Sequence, residues 1–262
     1  MRTLYLDCST GVSGDMLVSA MAHALEEVDG AGNGFSRLGD ELERLGIEGF
    51  ALRWEQKKVR GIATWRMEVE QTAERELRTY TDLINVANRA EEDGRIAQRA
   101  VHVLTLLAQA EAKVHGVALE SVHFHEIGSL DTVVDILGAM LLAEALDVDN
   151  IVVSPIDLGS GFVHCAHGSM SVPAPACAEL AKELTTFGSD CGMERSTPTG
   201  LAILRSLAQT CGCQPLGKVL AIGYGSGTRS SDEQPCYVRA FVLDSVAEEC
   251  DRQAANHHHN HA

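Results

Sequence analysis

Basic residues are scarce in this sequence: 21 lysines and arginines stand against 37 aspartates and glutamates, a formal charge of −16. Such a chain repels a phosphate backbone, because nucleic-acid binding depends on lysine and arginine displacing condensed counterions. Nucleic acid is therefore not an expected partner, whereas metal cations and small ligands are. Long apolar runs are missing too. The longest, residues 133–146, is cut by Asp135 and is too short to span a bilayer, and the opening MRTLYLDCS lacks the apolar region of a secretory signal. A cytoplasmic protein with no membrane partner is the expectation. The eight cysteines contain no CxxC pair, so a structural zinc site of four cysteines has no support. Their scatter in a chain without a secretion signal favours reduced thiols over a disulfide framework. There are no internal repeats, and low complexity is confined to the terminal NHHHNHA.

What is present suffices for a full core. With 262 residues, 45% of them hydrophobic, one or two domains are expected. Residues 3–6 read as a buried strand and 15–28 as a helix with apolar positions at helical spacing. Residues 35–45 form a second helix stopped by Gly46, and 50–59 and 62–70 a hairpin turning at Arg60-Gly61. The polar stretch 70–78 reads as a loop. A long helix covers 94–114, with His115 at its end, where the helix dipole favours a cap of positive charge. Strands at 121–125 and 150–154 flank a helix over 132–145; helices start near Pro175 and Pro198, and a last strand spans 237–243. The alternation predicts an α/β or α+β fold, with helices packed on a mixed sheet whose strand order stays open.

Chemistry concentrates in HFHEIGSLDTVVDILGAM, residues 123–140. In an extended segment His123 and His125 share one face while Val122 and Phe124 share the other. Asp131 and Asp135, four residues apart, stack on one side of a helix that is otherwise apolar nearly all round. A carboxylate there needs a cation, hydrogen-bond donors or a proton. Capping by Asp131 and an arginine partner for Asp135 are the ordinary alternatives. Together with Glu126 these side chains suit a divalent transition metal: His123, His125, Glu126, Asp131 and Asp135 are the candidate ligands, with His123, His125, Glu126 and Asp135 as candidate acid-base groups.

Two helix starts suit an anion. DCSTGVSGD sets Gly11 and Gly14 between a strand and a helix, with Asp7, Ser13, Gly14 and Asp15 as candidate cofactor contacts, although the Walker lysine is absent. STPTG offers Thr197, Thr199 and Gly200 around a proline at the first helical position. GYGSGTR reads as a glycine-rich turn with Arg229 as a phosphate fork. HCAH at 164–167 is a further, less regular chelating set.

LDCSTGVSGDML, AEAKVHG, VHFHEIGSLDTVVDI, HGSMSVPAPA, STPTG and IGYGSGTR occur in this order and closely resemble the nickel insertion proteins of the LarC family over residues 1–245. The resemblance implies nickel insertion into pyridinium-3,5-bisthiocarboxylic acid mononucleotide, giving the nickel pincer cofactor of lactate racemase with hydrolysis of CTP. It implies nickel, and CTP with Mg or Mn, as the small partners. It also implies a lactate racemase-type apoenzyme as recipient. Full-length members continue past the position of Leu243 into a domain associated with CTP, so a C-terminal domain or chain is an expected partner. A homo-oligomer is compatible with this reading. Many members carry a histidine-rich insertion near residues 72–78; TAERELR has none, and the tail histidines 257, 258, 259 and 261 are a possible nickel reservoir. Residues 246–262 are expected to be a flexible tail. A nickel-binding metallochaperone without catalysis, and a metal-dependent phosphohydrolase, are the competing classes.

Overall fold

The computed structural model describes residues 1–30, 32–72, 79–89, 94–124, 130–165, 167–228 and 235–245. In its main sheet strand β1 (Arg2–Asp7) is paired in parallel with β4 (Asn150–Val153) and antiparallel with β11 (Tyr237–Ser245). The sheet continues through β10 (Gly217–Ser226) to the hairpin β2 (Phe50–Val59) and β3 (Ile62–Gln71), and on the other side to β9 (Thr210–Cys211). Its order is β2-β3-β10-β11-β1-β4-β9, with both parallel and antiparallel pairs. This is the mixed sheet of an α/β fold, as the alternating pattern predicts. Arg60 and Gly61, at φ 49° and 82°, supply the left-handed turn of the β2–β3 hairpin at the expected place.

Alternation along the strands assigns the two faces. Leu4, Leu6, Val238, Ala240 and Val242 join the main core, while Tyr5, Val152, Phe241 and Leu243 form a small cluster on the other side. The helices α1 (Gly14–Asp29), α2 (Phe35–Arg44), α3 (Tyr80–Ala87), α4 (Gly94–His115), α5 (Leu130–Ala145), α6 (Pro175–Leu180) and α7 (Pro198–Leu207) contribute to that main core. Helix α1 lies directly on β10, and α5 packs against α1, α2, α3, α4 and α7. Twelve of the sixteen residues of α5 are buried, which explains its lack of a polar face. Two short units stand apart from the main sheet: β5 (Ile156–Asp157) pairs with β8 (Thr186–Phe187), and β6 (Phe162–Cys165) with β7 (Gly168–Ser171).

GYGSGTR is where the structure departs most from the sequence reading. Gly223 and Gly225 lie inside β10, not in a turn, because α1 presses its backbone onto that strand. Glycine here is a packing surface. Among the described residues every cysteine is free, in line with reduced thiols, and no helix is long and apolar enough to cross a membrane.

Candidate functional site

The turns that precede α1 and α7 are stitched together by their backbones. Val12 donates its N–H to the Arg195 carbonyl at 3.1 Å, and its own carbonyl accepts the Thr197 N–H at 2.9 Å. Gly11 permits the approach: at φ 104°, a Cβ there would sit 2.7 Å from the Arg195 carbonyl carbon. Gly200 permits it from the other side, where a Cβ would lie 2.8 Å from the Val12 oxygen. Helix α5 adds a third wall, since a Cβ on Gly14 would lie 2.8 Å from both Cβ and Cγ of Asp135 and nearer still to Oδ2.

These starts of α1, α5 and α7 bound a cavity of about 430 Å³, closed further by β3, the end of α4, the start of α6 and the β6–β7 hairpin. The size falls within the range of roughly 300–1,000 Å³ usual for small-molecule sites. Ser13, Gly14, Asp15, Asp131, Asp135, Thr197 and Thr199 all line it, so three motifs that are far apart in the chain meet in one space.

Asp135 is the group least at ease. Its Oδ1 is buried without a hydrogen-bond partner among the described residues. Burial pushes its carboxyl well above the usual carboxylate range, and the charges of Asp15 and Asp131 push it further. Asp15 is better served. The Ser13 hydroxyl and the Met16 N–H (2.9 Å) donate to its Oδ1, and the Thr228 N–H (3.1 Å) to its Oδ2. Burial still raises its affinity for a proton, although these donors oppose the rise. Of the N–H groups at the start of α1, which sequence alone offered to a phosphate, the side chain takes that of Met16. Burial likewise raises Asp131, opposed by the N–H of Thr132 at 2.9 Å. At α7, Thr197 caps the helix by accepting the Gly200 N–H at 3.3 Å, and Gly200 itself is not among the lining residues.

Other expected site residues lie elsewhere. Asp7 is on the opposite face of the sheet, where the Arg239 guanidinium donates to it through both Nε (3.0 Å) and an Nη. Burial pushes the Asp7 carboxyl up, but the Ser9 and Arg239 donors together outweigh it and hold the group below its ordinary value. A group with a depressed folded pKa contributes stability above its unfolded pKa and loses it as the pH falls through the folded value. Asp7→Asn is therefore expected to cost about 1 kcal/mol at pH 7, a margin that shrinks on acidification, and to leave ligand binding in the cavity unchanged. Chemical denaturation at pH 7 and pH 3.5 checks this. Val122 and Phe124 are buried and His123 is exposed, as alternation predicts, but His123 bridges to Thr79 and does not line the cavity. His125, Glu126, Arg229, residues 73–78 and the tail fall outside the described residues.

The cavity also holds Glu68, Glu111, Glu194, Arg195 and Cys236, which the sequence reading passed over, together with His115, read there as a cap, and Cys165 and His167 of the HCAH set. Glu111 and His115 were visible as an i, i+4 pair in AEAKVHG, yet a terminal histidine reads first as a cap. Arg195 sits between the cavity and the buried Asp157, its Nε 3.9 Å from Oδ2, while an Nη donates to the Pro235 carbonyl at 2.9 Å. Burial pushes the Cys236 thiol up to about 11 against the pull of Arg195, so it stays protonated at neutral pH. Among the described residues, no three or more His, Cys, Asp or Glu stand close enough together to hold a metal as placed.

A family model described as nickel insertion protein matches residues 4–261. The pyridinium-3,5-bisthiocarboxylic acid mononucleotide nickel insertion protein of Geobacillus kaustophilus is 36% identical over 252 residues, 92% of this chain and 60% of that protein. The proteins of the same name from Akkermansia muciniphila and Staphylococcus saprophyticus are 36% and 35% identical, covering 95% and 91% of this chain and 62% and 59% of their own lengths. This chain thus spans about three fifths of these relatives. No solved structure matches it. The match over nearly the whole chain, on a sequence whose matching motifs converge on one acidic cavity, places the chain in the nickel insertion protein family.

Proposed function

We propose that this chain forms the metal-inserting part of a nickel insertion protein, acting on pyridinium-3,5-bisthiocarboxylic acid mononucleotide to make a nickel pincer cofactor. The observation that carries the reading is the buried Oδ1 of Asp135, without a hydrogen-bond partner among the described residues, in the wall of a ligand-sized cavity. Metallation of the ring carbon between the two thiocarboxylates requires a base. The C–H bond breaks heterolytically, its electron pair forms the carbon–nickel bond, nickel stays divalent, and the proton passes to a carboxylate. A carboxyl raised by burial and by two like charges holds that proton more firmly than one in water. Asp15 and Asp131 add the negative charge that favours a divalent ion nearby. Arg195 and the start of α7, with Thr197 and Thr199, also line the cavity and suit the nucleotide phosphate.

In the same reading the reaction depends on CTP with Mg or Mn held by a C-terminal domain or chain. The enzyme is then a chelatase of the lyase class, and its product is destined for a lactate racemase-type apoenzyme in the cytoplasm. The test incubates this chain with nickel, precursor, CTP and Mg, with and without the C-terminal part of a longer relative. Little CTP hydrolysis is expected from this chain alone, with nickelated product, read by mass spectrometry, appearing when the second part is added. Absence of that product with both parts present would overturn the assignment.

A further inference from the structure

An exposed part of the cavity lining, outside α1, α5 and α7, carries two imidazoles and a carboxylate from two of the family-like motifs. Glu111 and His115 lie one turn apart at the end of α4, and His167 stands at the turn of the β6–β7 hairpin. The Nε2 of His115 is 3.3 Å from Oε2 of Glu111, and the rings of His115 and His167 have centroids 4.9 Å apart with planes at 52°. All three residues line the cavity, together with Cys165.

Those spacings can be compared with the geometry of coordination. An imidazole nitrogen binds a first-row divalent ion at about 2.1 Å, so the ring centroid is roughly 3.2 Å from the ion. Two such rings at a right angle have centroids roughly 4.5 Å apart, and roughly 4.9 Å at 100°. Two donor atoms in neighbouring positions on such an ion are roughly 3.0 Å apart. The observed 4.9 Å and 3.3 Å are close to both values. The three donors do not converge on one point as placed. Convergence requires movement of His167, which is exposed on a hairpin outside the main sheet.

Donor chemistry separates this rim from the carboxylates that α1 and α5 bring to the cavity. Imidazole suits nickel, copper and zinc, whereas carboxylates alone suit magnesium, calcium and manganese. Asp15, Asp131 and Asp135 are an all-oxygen set, so a nickel ion arriving in the cavity meets its better ligands at the rim.

We propose that His115, His167 and Glu111 form a loading site at the cavity mouth that captures a divalent nickel ion before it is passed inward to the carboxylate end. The inward step rests on the function proposed above; the capture step does not. The test uses the full chain with the four tail histidines replaced by asparagine, to remove competing imidazoles. Nickel affinity is measured by calorimetry, and the ligands are read by X-ray absorption at substoichiometric nickel. Two imidazoles are expected in the parent. His115→Asn and His167→Asn should each weaken binding by at least about tenfold and remove one imidazole, with Glu111→Gln weakening it less. Asp135→Asn should leave this first ion in place. These rim side chains are partly or largely exposed, so melting temperatures close to the parent's are expected, and circular dichroism verifies them. An all-oxygen nickel spectrum, unchanged affinity in both histidine variants, or loss of the ion in Asp135→Asn would each overturn the site. Failure of cofactor metallation with the rim spectrum intact would instead sink the insertion reading and leave the metal site standing.

Discussion

Asp135→Asn is expected to lower nickel insertion at least about 100-fold, in the range seen when a positioned acid or base is removed, without lowering the melting temperature at pH 7. The two halves of this result have one cause. In the folded chain burial and the neighbouring Asp15 and Asp131 raise the Asp135 carboxyl well above its ordinary value. Below the unfolded value, about 3.9, folded and unfolded states both hold the proton and Asp135 does not affect stability. As the pH rises from there to the raised folded value, the folded state binds more protons, so stability falls; above it, the full cost of an ionised buried carboxylate persists. Asparagine never bears that cost. The variant should therefore melt at or above the parent temperature at pH 7, with the difference vanishing near pH 4. Asp149→Asn is the control. That carboxylate accepts the Arg2 N–H at 2.8 Å in an exposed setting, so its loss should cost at most about 1 kcal/mol and leave insertion unchanged. If Asp135→Asn melts lower yet inserts nickel at the normal rate, Asp135 is part of the packing and not of the chemistry.

Gly223→Ala is expected to destabilise the fold by about 3 kcal/mol or more, lowering the melting temperature by roughly 6–12 °C in a chain of this size. A Cβ at Gly223 would lie 2.5 Å from the Ala24 nitrogen and closer still to the Ala20 carbonyl. Both obstacles are backbone atoms of α1, so no side-chain rotation relieves the clash, and α1 would have to lift off β10. Because α1 also presents Gly14 and Asp15 to the cavity, the same variant should weaken ligand binding there. Gly39→Ala measures the contrast. Gly39 is inside α2 with nothing within 4 Å of an added Cβ, and alanine should stabilise that helix by up to about 1 kcal/mol. A Gly223→Ala protein that melts with the parent would mean that α1 does not press on β10 as described.

The contrast between these glycines shows what is legible in a sequence. Gly61 and Gly46 were readable because a turn or a helix stop needs a positive φ, which only local sequence has to supply. Gly223 and Gly225 looked like a flexible turn for the same local reason, and only the helix lying across them shows otherwise. Elements set by periodicity were legible in the same way: β1, the β2–β3 hairpin, α4 and the buried α5 follow from alternation or a 3.6-residue repeat. Short elements such as β5, β8 and β9, two residues each, carry no period and were not foreseen.

The candidate site divides along the same line. By itself the sequence determined that Asp131 and Asp135 share a helix face, that helices start beside Ser13 and Thr197, and which family the chain resembles, because each depends on neighbours in sequence. Only the tertiary structure decided that Asp15 and Asp135 share a wall while Asp7, eight residues before Asp15, faces the other side of the sheet. It also decided that His115 meets His167 across 52 residues of chain. Such pairings are set by packing, through the close approach of a distant backbone at Gly11 and Gly200 and of the Asp135 side chain at Gly14, and no local pattern records which distant segment a glycine makes room for.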